Sequence, residues 1–179
     1  MNEKIMATFD FNGISVDVVN WSETIWCGKV GYAENNTDEP NVDKIFEGFF
    51  ALDTSAAAER LDKDFDGCVS INYLSKRRPN GVMIGFLVGT ENQPKDFDVL
   101  KFPVAQYMRV SLDETTARAL DEKPWRGGIP PYHWITEKLA PKFGYTVGDD
   151  TLPIFEYYGY YNPTTNAHKL RYLYVPIMK

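Results

Sequence analysis

Two histidines and two cysteines are all that this 179-residue sequence offers for metal ligation by nitrogen or sulfur, or for thiol chemistry. His133 and His168 stand in no HExxH spacing, and Cys27 and Cys68 in no CxxC spacing, so zinc centres and redox motifs lose support. Two cysteines also fail to make a secreted disulfide framework, and both read as buried free thiols. Lys and Arg number 19 against 25 Asp and Glu, giving a net charge of -6, and the pI is near 5.0. A surface that grips a polyanion needs clustered cations, so no direct nucleic-acid partner is expected. The densest basic run, Lys76-Arg77-Arg78, adjoins Pro79-Asn80-Gly81 and reads as a solvated turn. Neither a signal peptide nor a run of membrane-spanning length is present, and a cytoplasmic protein with no membrane partner is the expectation. GxSxG, P-loop and GxGxxG patterns are missing, which disfavours hydrolase triads, Walker-type nucleotide sites and Rossmann cofactors. No cofactor and no metal are expected.

What is abundant is aromatic. Tyr and Phe number 11 each and Trp 4, which is 15% of the chain, more than a core usually needs, and points to an aromatic-lined cavity or interface. Hydrophobic residues at 44% and charged residues at 25% describe a globular chain, and the length fits one domain over residues 1–179. Alternation predicts strands over Ile14–Val19 and Thr24–Ala33. Val42, Ile45, Phe46, Phe49 and Phe50 recur at helical spacing behind a cap at Asn41, predicting a helix to about Leu52, and a second short helix is expected over Thr54–Leu61. Cys68–Leu74 and Val82–Val88 read as a hairpin turning at Arg78-Pro79-Asn80-Gly81. The second half repeats this order: strand Phe102–Leu112, helix Pro130–Phe143 ending at Gly144, strand Leu152–Tyr161, strand His168–Ile177. Strand, helix, strand, strand, twice, predicts an α+β fold with approximate halves 14–90 and 100–179 and a cleft where they meet.

Asp62-Lys63-Asp64-Phe65-Asp66-Gly67 opens like an EF-hand calcium loop. The position that needs a bidentate Glu is Tyr73, however, and the segment runs into a strand pattern, so a polar turn is the better reading. The more telling segment is Leu152-Pro153-Ile154-Phe155-Glu156-Tyr157-Tyr158-Gly159-Tyr160-Tyr161, a strand in which one carboxylate sits among aromatics. Period-two geometry puts Ile154, Glu156 and Tyr158 on one face and Phe155 and Tyr157 on the other. On the following strand Tyr172 and Tyr174 share a face, and a tyrosine cage around Glu156 is one arrangement this allows, packing of the same rings in the core being the other. On spacing alone Glu156 reads as an edge-strand carboxylate pointing at solvent; in an apolar cleft it would instead attract an aromatic cation or act as a general base toward water.

The chain resembles the GyrI-like effector-binding domains, also found at the C-termini of multidrug-responsive transcription regulators. The resemblance spans nearly the whole sequence and rests on Cys27-Gly28-Lys29-Val30-Gly31-Tyr32, Ile45-Phe46, Ile84-Gly85-Phe86-Leu87-Val88, Phe102-Pro103-Val104-Ala105-Gln106-Tyr107, Trp134-Ile135, Pro153-Ile154-Phe155-Glu156-Tyr157-Tyr158 and Leu173-Tyr174-Val175-Pro176-Ile177. It implies two tandem βαββ units of the SHS2 type, related by a pseudo-twofold axis, with antiparallel sheets, helices packed outside and a central aromatic cleft. Glu156 matches the family's pocket glutamate, which faces lipophilic cations in drug-binding relatives and supports hydrolysis of cyclopropane-bearing alkylators in some stand-alone relatives. Tyr107, Tyr158, Tyr172, Tyr174, Trp26, Phe86 and Trp134 complete the ligand-binding candidates. Many relatives carry an acidic residue where this chain has Tyr172, which lowers the negative charge expected of the pocket. Strands begin within the first twenty residues, so a stand-alone domain without a helix-turn-helix is expected.

Three functions follow as expectations. The first is binding of an aromatic or lipophilic small molecule, in drug or toxin protection. The second is cofactor-independent hydrolysis of a strained electrophile, with Glu156 activating water and Tyr107 or Tyr172 bonding the ligand's carbonyl. The third is a protein-partner module that modulates a DNA-processing enzyme.

Overall fold

A computed structural model describes residues 3–36, 38–61, 66–73, 75, 78–126, 130–148, 150–158, 161–162, 167–168 and 171–179. Strands β1 (Glu3–Phe11) and β2 (Ile14–Trp21) form a hairpin about Asn12 and Gly13, both at positive φ (50° and 84°). That turn chemistry favours Asn-Gly because both central positions are left-handed. The signal for β1 was therefore in the sequence, although the periodicity reading begins only at Ile14. β3 (Thr24–Tyr32) follows, then α1 (Val42–Phe50), whose N-cap Asn41 accepts from the Lys44 amide at 3.1 Å. α1 buries Ile45 and Phe49, four residues apart on one helical face, as their spacing predicts. The second short helix is only a single 3₁₀ turn at Thr54–Ala56, capped by Asp53, because Ala57 already has extended backbone.

β4 (Asp66–Ile71) and β5 (Gly81–Val88) pair as the predicted hairpin. The expected single strand Phe102–Leu112 is two, β6 (Asp98–Phe102) and β7 (Ala105–Ser111), and they lie on different sides of the sheet. Pro103 sits at the break, where its missing N–H cannot continue a ladder. α2 (Glu114–Ala119) is capped by Asp113. The helix predicted from Pro130 runs as a π-helix over Trp134–Leu139 and then α3 (Ala140–Lys142). Pro141 cannot donate to the preceding turn, and the amide of Ala140 reaches back five residues to Ile135 instead. Gly144 at φ 76° ends the helix as expected. The chain closes with β8 (Thr146–Val147), β9 (Ile154–Tyr158), β10 (Tyr161–Asn162), β11 (Ala167–His168) and β12 (Arg171–Met178).

The sheet runs β1-β2-β7-β12-β9-β4-β5-β3-β6, with β8 attached to β12, and every pairing in it is antiparallel. Within it β3-β5-β4 and β7-β12-β9 meet through the β4–β9 pair, so each half pairs its strands in the same order. A twofold superposition of the halves stays an implication of the resemblance.

Connection lengths bend this sheet. Ser22-Glu23 alone links β2 to β3, the second strand to the eighth, and Pro103-Val104 alone links the ninth to the third. Six strand spacings in a flat sheet are roughly 29 Å. Three virtual bonds span at most about 11 Å. The sheet must therefore curl until its wings approach. Gly28 pairs with Gly85 and Gly85 with Gly67, a row across three strands. A Cβ at Gly28 would lie 2.0 Å from the Ile84 carbonyl oxygen, so side chains there would prevent the close approach.

Inside the curl lies a core made entirely of strand residues, with Trp21, Trp26, Phe155, Tyr157, Tyr107 and Tyr174 at its centre. Trp21 and Trp26, from opposite wings, both reach Phe155, at 5.1 and 5.6 Å between ring centroids. The outer face carries two separate helix-covered cores. One packs α1 on Cys27, Ile84, Phe86 and Val88, and the other packs the π-helix on Met108, Val110, Leu173 and Val175. Among the described residues no helix is long and apolar enough to cross a membrane.

Candidate functional site

β4 and β9 form the seam between the two outer cores, and their register decides what the seam carries. Cys68 opposes Glu156 and Ser70 opposes Ile154. Directly opposed residues of an antiparallel pair share a face, so Cys68, Ser70 and Glu156 make a polar strip between two apolar regions. Glu156 is only 2% exposed and Ser70 7%.

Tyr132 roofs this strip. It follows Pro130-Pro131 and leads into the π-helix, and its hydroxyl lies 2.5 Å from Ser70 Oγ. Tyr73 packs edge-on against the Tyr132 ring at 4.4 Å and stays partly exposed. Burial pushes the Tyr132 phenol well above its ordinary value; the Ser70 hydrogen bond works the other way, and the nearby charges of Glu156, Cys68 and Tyr73 add to the rise. Burial first, and Glu156 second, likewise push the Cys68 thiol far up. Cys68 and Tyr132 are thus neutral groups within electrostatic reach of the Glu156 carboxyl. The arrangement can offer a carboxylate to a cation that displaces the roof, with aromatic rings on the way in.

The sequence-predicted residues separate over three regions. Glu156 is on the seam. Trp26, Tyr107 and Tyr174 are buried inside the curl with Tyr172 packed beside them, Phe86 lies beneath α1, and Trp134 beneath the π-helix. The cage of Tyr172 and Tyr174 around Glu156 is corrected by the register: Glu156 opposes Leu173, while Tyr174 opposes Phe155 and Tyr172 opposes Tyr157. Both tyrosines therefore share the inner face, and the structure does not bring Tyr107 or Tyr172 to the Glu156 carboxyl. The side chain of Tyr158 and the start of the calcium-like loop, Asp62 to Phe65, lie outside the described residues. Among the described residues no group of three or more His, Cys, Asp or Glu is placed to hold a metal ion. Ser70 and Cys68 escaped the sequence reading because only the β4–β9 pairing brings them to Glu156, and Tyr132 because it arrives from the helical segment by way of Ser70. The Pro130-Pro131-Tyr132 helix start was the one local signal.

The sequence matches no protein-family model and no curated protein. Its fold does have solved counterparts. A protein from Staphylococcus aureus MU50, named for bacterial transcription regulation, aligns at TM-score 0.58 and 17% identity, covering 93% of this chain and 100% of its own. SAV2435, solved bound to tetraphenylphosphonium, aligns at TM-score 0.59 and 16% identity over 91% of this chain and 93% of its own. The C-terminal domain of EcmrR aligns at 0.57 and 11% over 93% and 98%. At such identities the likeness establishes the fold alone, the α+β, GyrI-like fold that these proteins share.

Proposed function

We propose that this protein binds compact aromatic or lipophilic molecules, lipophilic cations among them, at the β4–β9 seam, with Glu156 meeting the ligand's charge. The observation that carries the reading is a carboxyl 2% exposed where two helix-covered cores meet. Taking a carboxyl out of water carries a desolvation cost, so a carboxyl held this deep is a polar group that the fold keeps inside its core. Ordinary core chemistry surrounds it on both sides, so the polar strip is a local departure of the kind found at binding sites. The ligand in the SAV2435 structure, tetraphenylphosphonium, is a lipophilic cation and supports the same class of ligand here. Protection against a drug or toxin is the role that such binding would serve.

Between binding and hydrolysis, the geometry favours binding. A general base must touch a water, and Glu156 is 2% exposed, beside the Tyr132–Ser70 contact and on the face opposite Tyr172.

The test is calorimetric titration of tetraphenylphosphonium and of neutral triphenylphosphine oxide into the parent protein and Glu156→Gln. The expected result is a loss of about tenfold or more for the cation, equivalent to ~1.4 kcal/mol, with little change for the neutral compound. Equal affinity of parent and variant for the cation would refute the role of Glu156. No binding of either compound to the parent would refute the function.

A further inference from the structure

On the inner face of the curl, away from the seam, the carboxylate of Glu3 is held as a bound acid would be. Its Oε2 accepts from Tyr174 Oη at 2.8 Å, and its Oε1 accepts from Arg109 Nη1. Arg109 does not depend on Glu3 for its position. Its Nη2 and Nε donate to Asp17 Oδ2 at 2.5 and 3.2 Å, and its guanidinium lies 4.8 Å over the Tyr172 ring. Asp17 is fixed in turn by Thr8 Oγ1 at 2.7 Å and Ser15 Oγ at 3.3 Å. Opposite Glu3 in the β1–β2 register stands Trp21, whose Nε1 is buried with no hydrogen-bond partner among the described residues. The same indole packs edge-on against Tyr174 at 5.4 Å. Three donors, two engaged by a carboxylate and one unmet, therefore share one aromatic patch.

Glu3 is also the removable member. The β1–β2 register shifts between Ile5 and Ala7, which divides β1. Beyond the shift, Phe9 stacks on Phe143 at 4.4 Å and Phe11 meets the same ring edge-on at 6.4 Å, anchoring that part to the helix-covered core. Before it, Ile5 is 53% exposed, so the leading residues add little apolar burial. A strand end held by a short ladder and one ionic clamp opens at low cost.

We propose that Arg109, Tyr174 and Trp21 form a binding site for the carboxylate of an aromatic acid, which Glu3 fills from within until the leading residues of β1 swing out. The rings of Tyr172, Tyr174 and Trp21 supply walls for the aromatic body. One free edge of a single guanidinium, with Asp17 already on the other edge, suits a monoanion and disfavours a phosphate dianion.

The experiment titrates 2-naphthoate, and 2-naphthylmethanol as its neutral counterpart, into the parent, Glu3→Ala and Glu3→Ala/Tyr174→Phe. Glu3→Ala is expected to bind naphthoate about tenfold or more tightly than the parent does, with the alcohol unaffected; adding Tyr174→Phe should remove most of that gain. The gain from Glu3→Ala should be the same size in a Glu156→Gln background, which separates this site from the seam. An equal gain for acid and alcohol, no gain at all, or a gain that survives Tyr174→Phe would overturn the proposal. A measurement on the parent stands apart from variant folding. Saturating naphthoate should speed amide hydrogen exchange at Lys4 and Ile5 and leave Phe9 and Phe11 unchanged, and unaltered exchange at Lys4 and Ile5 would equally overturn it.

Discussion

The hydroxyl of Tyr132 and the hydroxyl of Ser70 meet at 2.5 Å and close the strip that carries Glu156. Tyr132→Phe removes one partner of a buried pair and leaves Ser70 Oγ without it. The expected cost is about 1–2 kcal/mol, read as a lower midpoint in urea with an unchanged slope. If Tyr132 is the roof over Glu156, the same variant should associate faster with tetraphenylphosphonium in stopped-flow fluorescence. A stability loss with an unchanged association rate would make Tyr132 a structural residue only.

Gly67 faces the indole of Trp26, and a Cβ there would sit 2.6 Å from the ring and 2.9 Å from the Glu156 carbonyl oxygen. The ring is itself packed against Phe155 and Tyr157 and cannot retreat freely. Gly67→Ala should cost about 1–3 kcal/mol through overpacking and alter tryptophan emission. A substitution without effect on thermal melting would mean that the curl is looser than its contacts indicate.

Arg109 lies between Glu3 and Asp17, and its side chain is 14% exposed. Burial works against its charge, but the hydrogen bond to Asp17, followed by Tyr174 and Glu3, holds it firmly protonated. Arg109→Met leaves two carboxylates near each other, Asp17 keeping the Thr8 and Ser15 hydroxyls and Glu3 keeping Tyr174. The expected loss is about 2–3 kcal/mol, less than for a fully enclosed pair because solvent still reaches the group. Adding Glu3→Gln and Asp17→Asn should return much of it, a non-additivity measurable by chemical denaturation.

Burial first, and the Asp98 charge second, raise the Cys27 thiol from 9.0 to about 11. The folded state therefore keeps a proton that the unfolded chain releases at lower pH. This contribution to stability is complete below pH 9 and is lost as pH rises through about 11. Cys27 should accordingly resist alkylation by iodoacetamide at pH 8 until the protein is unfolded, as mass spectrometry would show. Rapid labelling of the native protein would contradict its burial.

Local patterns in the sequence were sufficient for much of the fold. Asn41 followed by Ile45 and Phe49 specified α1, Gly144 specified a helix end, and alternation specified β4, β5, β9 and β12, because capping, left-handed turns and period-two burial depend on neighbours in the chain. Asn12-Gly13 specified the first hairpin by the same rule, although Ile5 and Met6 blur the alternation of β1. Glu156 stood out as the carboxylate in an aromatic strand without any structural help. Its surroundings did not, since Cys68 and Ser70 reach it only through a register between strands that are far apart in sequence, and Tyr132 only through its contact with Ser70. Which face Tyr172 and Tyr174 occupy was settled by the pairing of Leu173 with Glu156. The clamp of Glu3 by Arg109 joins residues 106 apart in the chain. It exists because β1, β2, β7 and β12 lie side by side in the sheet, and a single sequence shows each strand without showing which strands become its neighbours.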